Sequence, residues 1–86
     1  LNETVLINFS REWCVPCKKM KPILDEINSE NNNVKVLLID AVANKEIAAK
    51  YKIQGVPIFI IFKNAIQTYR KVGVVSKEEL IKELLK

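Results

Sequence analysis

Apolar residues fall along this 86-residue chain in short blocks separated by polar turns, and the spacing inside each block predicts its element. Val5, Leu6, Ile7 and Phe9 make Thr4 to Phe9 a buried strand, interrupted only by the amide Asn8. From Cys14 to about Glu30 the apolar positions Met20, Ile23, Leu24 and Ile27 recur at three- and four-residue steps, which predicts one apolar face of a helix. Pro16 suits a first turn, where its missing N–H has no partner to lose. Pro22 falls mid-helix, so it should free the Lys18 carbonyl and kink the helix at a cost of about 3 kcal/mol.

The polar run Glu30-Asn31-Asn32-Asn33 ends that helix. Val34 to Asp40 is nearly continuous in apolar residues, which predicts a strand buried on both faces of a parallel sheet. A short helix through Lys52 is expected after Asn44 as its cap, with Ile47, Ala48 and Tyr51 facing inward. Ile58 to Lys63 and Ile66 to Lys71 read as a hairpin across Asn64-Ala65. Ser76 and Glu79 have the spacing of a reciprocal capping box for a last helix, whose Leu80, Ile81, Leu84 and Leu85 share a face. The order is strand, helix, strand, helix, strand, strand, helix.

Length and the 49% hydrophobic content suit a single domain over residues 1–86 with one modest core. No apolar run approaches the roughly 20 residues of a membrane span. Fourteen Lys and Arg against ten Asp and Glu give a net charge of +4, but they are spread along the chain without a block. A solvated basic surface is therefore expected, with neither nucleic-acid nor membrane binding. Histidine is absent, which excludes Cys-His catalysis.

The chemistry lies in Trp13-Cys14-Val15-Pro16-Cys17, where the chain's only two cysteines stand three apart. One thiol can attack a foreign disulfide while the other waits a helical turn away to release the product. The same spacing is half of a zinc site, and a zinc centre completed by a second chain is the metal alternative; two ligands per chain make it weak. Strand before and helix after are the context a redox pair needs. At the helix start, unpaired N–H groups and the dipole favour a thiolate on Cys14, which predicts it as nucleophile. Cys17, one turn inward and expected to be less exposed, would resolve the mixed disulfide.

Phe9, Glu12-Trp13-Cys14 with Pro16-Cys17-Lys18, Pro22 to Ile27, Ile39-Asp40, Gly55-Val56-Pro57, Phe62-Lys63-Asn64 and Lys71-Val72-Gly73 resemble the thioredoxin family in order and spacing. The resemblance implies an α/β thioredoxin fold with a central mixed four-stranded sheet flanked by helices. It also implies a protein-disulfide reductase in electron transport and cell redox homeostasis, with no metal or organic cofactor beyond the Cys14-Cys17 pair. Disulfide oxidation or isomerisation, and a non-catalytic binding module, are the alternatives. Disulfide-containing proteins would be its substrates, a thioredoxin-reductase-like enzyme its electron donor, and the cytoplasm its compartment.

By the same resemblance, Trp13, Val15, Pro16, Val56, Pro57 and Gly73 form the substrate surface, with Val56-Pro57 as a cis-proline turn facing the cysteines. From its position alone, Trp13 would serve as well as a core aromatic. Val15 departs from the family's usual glycine, so the redox potential is not implied. Asn8 and Lys18 would modulate the pair. Asn8 stands where the family usually carries a buried aspartate, and Val36 where that aspartate has a lysine partner, so resolution would rely on water or run slower. Family members begin with a further strand and helix that this sequence lacks before Leu1. The edge of Val34 to Asp40 would then be open to strand pairing or dimerisation.

Overall fold

In the computed structural model, which describes residues 3–86, the elements follow the predicted order. They are β1 (Thr4–Ser10), α1 (Val15–Glu30), β2 (Val34–Asp40), α2 (Lys45–Lys50), β3 (Ile58–Lys63), β4 (Ile66–Val72) and α3 (Lys77–Leu85). The strands form one four-stranded sheet in the order β2-β1-β3-β4. β1 pairs parallel with β2, Asn8 opposite Leu38, and antiparallel with β3, Asn8 opposite Phe59.

Strand alternation sends successive side chains to opposite faces, and each face has its own core. Leu6, Phe59 and Ile61 pack with Met20, Leu24 and Ile27 of α1 and with Leu80 and Leu84 of α3. Ile7, Phe9, Ile58 and Ile60 meet Ala41, Tyr51 and Ile53 on the other face. There Tyr51 lies 6.0 Å from Phe9 and 5.9 Å from Phe62, ring centre to ring centre. Asn8 shares the α1 face with Leu6, and this places it beneath the start of α1.

Several local expectations need correction. The apolar run of β2, which lies at the edge of the sheet among the described residues, is not buried on both faces: Leu38 is 56% exposed, and Leu37 is exposed too. α1 runs unbroken through Pro22, which together with Lys18 faces solvent, where water can satisfy the freed carbonyl. α2 stops at Lys50; Asn44 makes no side-chain cap, its Nδ2 donating instead to the Asp40 carbonyl oxygen at 3.0 Å. Ala48 is buried and Tyr51 half-buried, but Ile47 is exposed. At α3 only half of the capping box forms. The Glu79 N–H donates to Ser76 Oγ at 3.1 Å, while the Glu79 carboxylate accepts from Tyr69 at 2.6 Å. Leu85, at the end of α3, is exposed.

The β3–β4 hairpin closes as predicted, with positive φ at both Asn64 (53°) and Ala65 (69°). That pair of left-handed residues is what a twist-matched two-residue hairpin turn requires.

Candidate redox site

β1 ends at Ser10, and Arg11, Glu12 and Trp13 carry the chain to α1, with Trp13 in the left-handed region at φ 60°. Cys14 is the N-cap of α1. An N-cap side chain accepts from the second or third helical N–H; the second belongs to Pro16, which has none. The bond therefore comes from Cys17, whose N–H donates to Cys14 Sγ at 3.2 Å. The first backbone bond of the helix follows, from the Lys18 N–H to the Cys14 carbonyl oxygen at 3.1 Å.

Cys14 and Cys17 are joined in a disulfide. Both are buried, at 6% and 9% exposure, so the expectation that Cys17 is the less exposed is not met. What separates them is the space each faces. Cys14 opens on a groove of about 650 Å³ with Trp13, Val15, Pro16 and Val56. Cys17 opens on a smaller cavity of about 200 Å³ with Asn8, Ser10, Arg11, Lys18, Lys21 and Leu38.

The groove thus gathers four of the six predicted surface residues, Trp13, Val15, Pro16 and Val56. Trp13 is 88% exposed and belongs to the surface, not to the core. The Val56-Pro57 peptide bond is cis, as the resemblance implied. Pro57 is buried behind Val56, and its carbonyl oxygen accepts from the Gly73 N–H at 2.8 Å. Gly73 does not line the groove; it acts on the wall from behind. Asn8 is 2% exposed, with Nδ2 donating to the Ile58 carbonyl oxygen at 3.4 Å. Val36 lies two residues before Leu38 on β2 and packs against the α1-side core.

Residues missed in the sequence complete the walls: Arg11, Ala41, Val42, Gln54 and Gly55. Ala41 and Val42 follow the carboxyl end of a parallel strand, where clefts in open α/β sheets collect, and that signal was available. Asp40 holds their turn by accepting at Oδ1 from the N–H groups of Val42 (2.8 Å) and Ala43 (2.9 Å). Arg11 carried no signal beyond its nearness to Trp13-Cys14.

Among the described residues, no group of three or more His, Cys, Asp or Glu lies together as a metal site. No helix there is long and apolar enough to cross a membrane.

The thioredoxin family profile matches residues 1–86. A thioredoxin from Rickettsia bellii is 42% identical over 78 residues, covering 90% of this chain and 74% of that protein. One from Chlamydia trachomatis is 37% identical over 82 residues, covering 95% and 80%. Among solved structures, the thioredoxin NaTrxh from Nicotiana alata superposes with a TM-score of 0.91 at 30% identity, covering 99% of this chain and 73% of that one. A Fasciola hepatica thioredoxin gives 0.89 at 25% identity, covering 98% and 80%.

Proposed function

The chain belongs to the thioredoxin family of thiol-disulfide oxidoreductases, which reduce protein disulfides, and we propose that Cys14 is its nucleophile and Cys17 its resolving thiol. The observation that carries the assignment is the N-cap position of Cys14, with Sγ aimed at the Cys17 N–H. A thiolate there would gain a charge-assisted hydrogen bond and the positive end of the helix dipole. It also borders the groove that a substrate must enter.

In the reduced protein, the Cys14 thiolate attacks one sulfur of a substrate disulfide. The Cys14–substrate bond forms, the substrate bond breaks, and the departing thiolate takes a proton from solvent. Cys17 then loses its proton and attacks Cys14 Sγ, forming the intramolecular disulfide and expelling the second substrate thiolate. Being in the same chain, it acts at high effective concentration. Two electrons and two protons pass to the substrate, and a thioredoxin-reductase partner restores the dithiol.

Trp13, Val15, Pro16 and Val56 serve as the surface against which an extended substrate segment lies. The backbone of Val56 offers it strand-like hydrogen bonding. Pro57 and Gly73 support that wall, and Asn8 and Lys18 modulate Cys17. No metal or organic cofactor enters these steps. A cytoplasmic setting suits a dithiol that must be kept reduced. Among the described residues β2 lies at the edge of the sheet, and pairing of that edge with another strand, including one from a second copy, belongs to the same proposal; Leu38→Lys should then lower self-association seen by sedimentation.

The roles are tested by cysteine variants assayed on an accessible protein disulfide with dithiothreitol. Cys14→Ser should abolish turnover, and Cys17→Ser should accumulate a mixed disulfide through Cys14. Trapping at Cys17 in place of Cys14 would reverse the assignment.

A further inference from the structure

One cavity borders Cys14, a second borders Cys17 and a third lies beside Trp13, and one residue, Arg11, lines all three. Among the described residues, Arg11 is the only charged one that lines the groove on the Cys14 side. On the Cys17 side it is joined by Lys18 and Lys21, and among the described residues no carboxylate lines that space. The third cavity adds Glu12 and Asp40, but Asp40 already accepts from two backbone N–H groups. Lys21 shares its charge with Asp25 at 3.5 Å. Among the described residues, neither Arg11 nor Lys18 forms an ion pair with a carboxylate. Elsewhere among the described residues, Lys77 pairs with Glu26 and Glu30, and Lys71 with Glu79, none of which lines these cavities.

We propose that the chain selects disulfides flanked by acidic residues, Arg11 and Lys18 receiving a carboxylate of the bound segment while its cysteine sulfur meets Cys14. This rests on the exchange reading above and specifies its substrate class. Arg11 borders both the groove and the cavity beside Cys17, so a segment bound in the groove lies against a residue that also reaches the Lys18 side. A guanidinium suits the task because its planar donors match a carboxylate. Glu12 opposes a second carboxylate on the Trp13 side, so the preference is for acid toward Lys18. Exposed charges act over a screening length of about 10 Å at 0.1 M salt, which makes the preference salt-dependent.

The test is single-turnover reaction of the pre-reduced protein with three disulfide-bonded peptides, identical except for Glu, Gln or Lys beside the target cysteine. Trp13, the only tryptophan, adjoins Cys14 and supplies the fluorescence signal. At low salt the rate constants should order as Glu, then Gln, then Lys, with about tenfold between the extremes. At 1 M salt, with a screening length of about 3 Å, the gap should close. Arg11→Glu should invert the order, and Lys18→Glu should narrow it. Lys82→Glu, the same charge change on α3 outside all three cavities, should preserve it.

Equal rates for the three peptides at low salt would overturn the proposal. So would equal effects of Arg11→Glu and Lys82→Glu, since net charge and not the rim would then be acting. A protein that reduces none of them, the Gln peptide included, would instead sink the exchange reading.

Discussion

The Gly73 N–H donates to the Pro57 carbonyl oxygen at 2.8 Å, so the residue just past β4 holds the chain immediately behind Val56. Gly73 makes this bond at φ 94°, where an L side chain is strained. Gly55, two residues before Pro57, has no such φ, and a Cβ on either glycine would meet nothing within 4 Å. The two positions therefore separate backbone conformation from packing. Gly73→Ala should cost about 1–2 kcal/mol and slow disulfide exchange, as the Pro57 carbonyl loses its fixed partner. Gly55→Ala should leave stability equal or raise it by about 0.4–1 kcal/mol, by restricting the unfolded chain. Urea melts at constant m-value decide this, and equal losses in both variants would refute it.

The hairpin turn supports the opposite substitution. Ala65 sits at φ 69° with no gain to offset its strain, whereas Asn64 tolerates the region and accepts from the Glu3 N–H at 3.1 Å. Ala65→Gly creates the Asn-Gly pair that this turn type prefers. Relief of strain, less the extra freedom of glycine when unfolded, should leave a gain of about 0.5–1 kcal/mol, or roughly 2–8 °C in Tm. A lower Tm would contradict the turn assignment.

Element order and the face of α1 were readable because three- and four-residue spacing is a local property, and Met20, Leu24 and Ile27 all reach the core. Burial of β2 was not readable. Its apolar run resembles that of β3, yet among the described strands β3 is central and β2 lies at an edge; that edge was expected only through the family resemblance, because strand order is decided by pairings outside the run. Leu85 is exposed for a related reason: a helix face says nothing of where the partner surface ends. At the site, the cysteine pair was legible as a short motif, and the cis Val56-Pro57 turn only through the family resemblance. Arg11 was not, since only folding brings it to all three cavities.

Tyr69 and Glu79 form a pH-sensitive tie between β4 and α3. The Tyr69 hydroxyl donates to Glu79 Oε2 at 2.6 Å, and this bond, helped by Lys71, holds the Glu79 carboxyl below its ordinary 4.5. Burial first, then the same bond, pushes the Tyr69 phenol above its ordinary 10.0. A depressed acid stabilises above its unfolded value, and that stability is lost as pH falls through the folded one. A raised phenol stabilises below 10.0 and loses this as pH climbs toward the folded value. The stability difference between parent and Tyr69→Phe should thus be flat from about pH 5 to pH 9 and shrink on both sides. Denaturant melts across pH measure it. A difference independent of pH would mean that only packing is lost.

Asn8→Asp tests what a neutral residue beside Cys17 does. Asn8 is 2% exposed, and its Nδ2 faces the Ile58 carbonyl oxygen. A protonated carboxyl can still donate to that oxygen, but an ionised one would set acceptor against acceptor in a buried place. Both effects raise the folded pKa of the introduced group above the unfolded value of about 3.9. Arg11, Lys18 and Lys21 line the same cavity and pull the other way, yet all three are exposed to solvent, and Val36 offers no charge from β2. The variant should therefore match the parent best at low pH and lose stability as pH rises from the unfolded pKa through the folded one. The resolving step should gain a second ionisation, because a carboxylate bordering the Cys17 cavity can take the thiol proton that Asn8 cannot. Stopped-flow exchange at several pH values, beside melts of both proteins, reads the two effects separately. Superimposable rate profiles would show that the Asn8 position does not act on Cys17, even if the stability curves diverge.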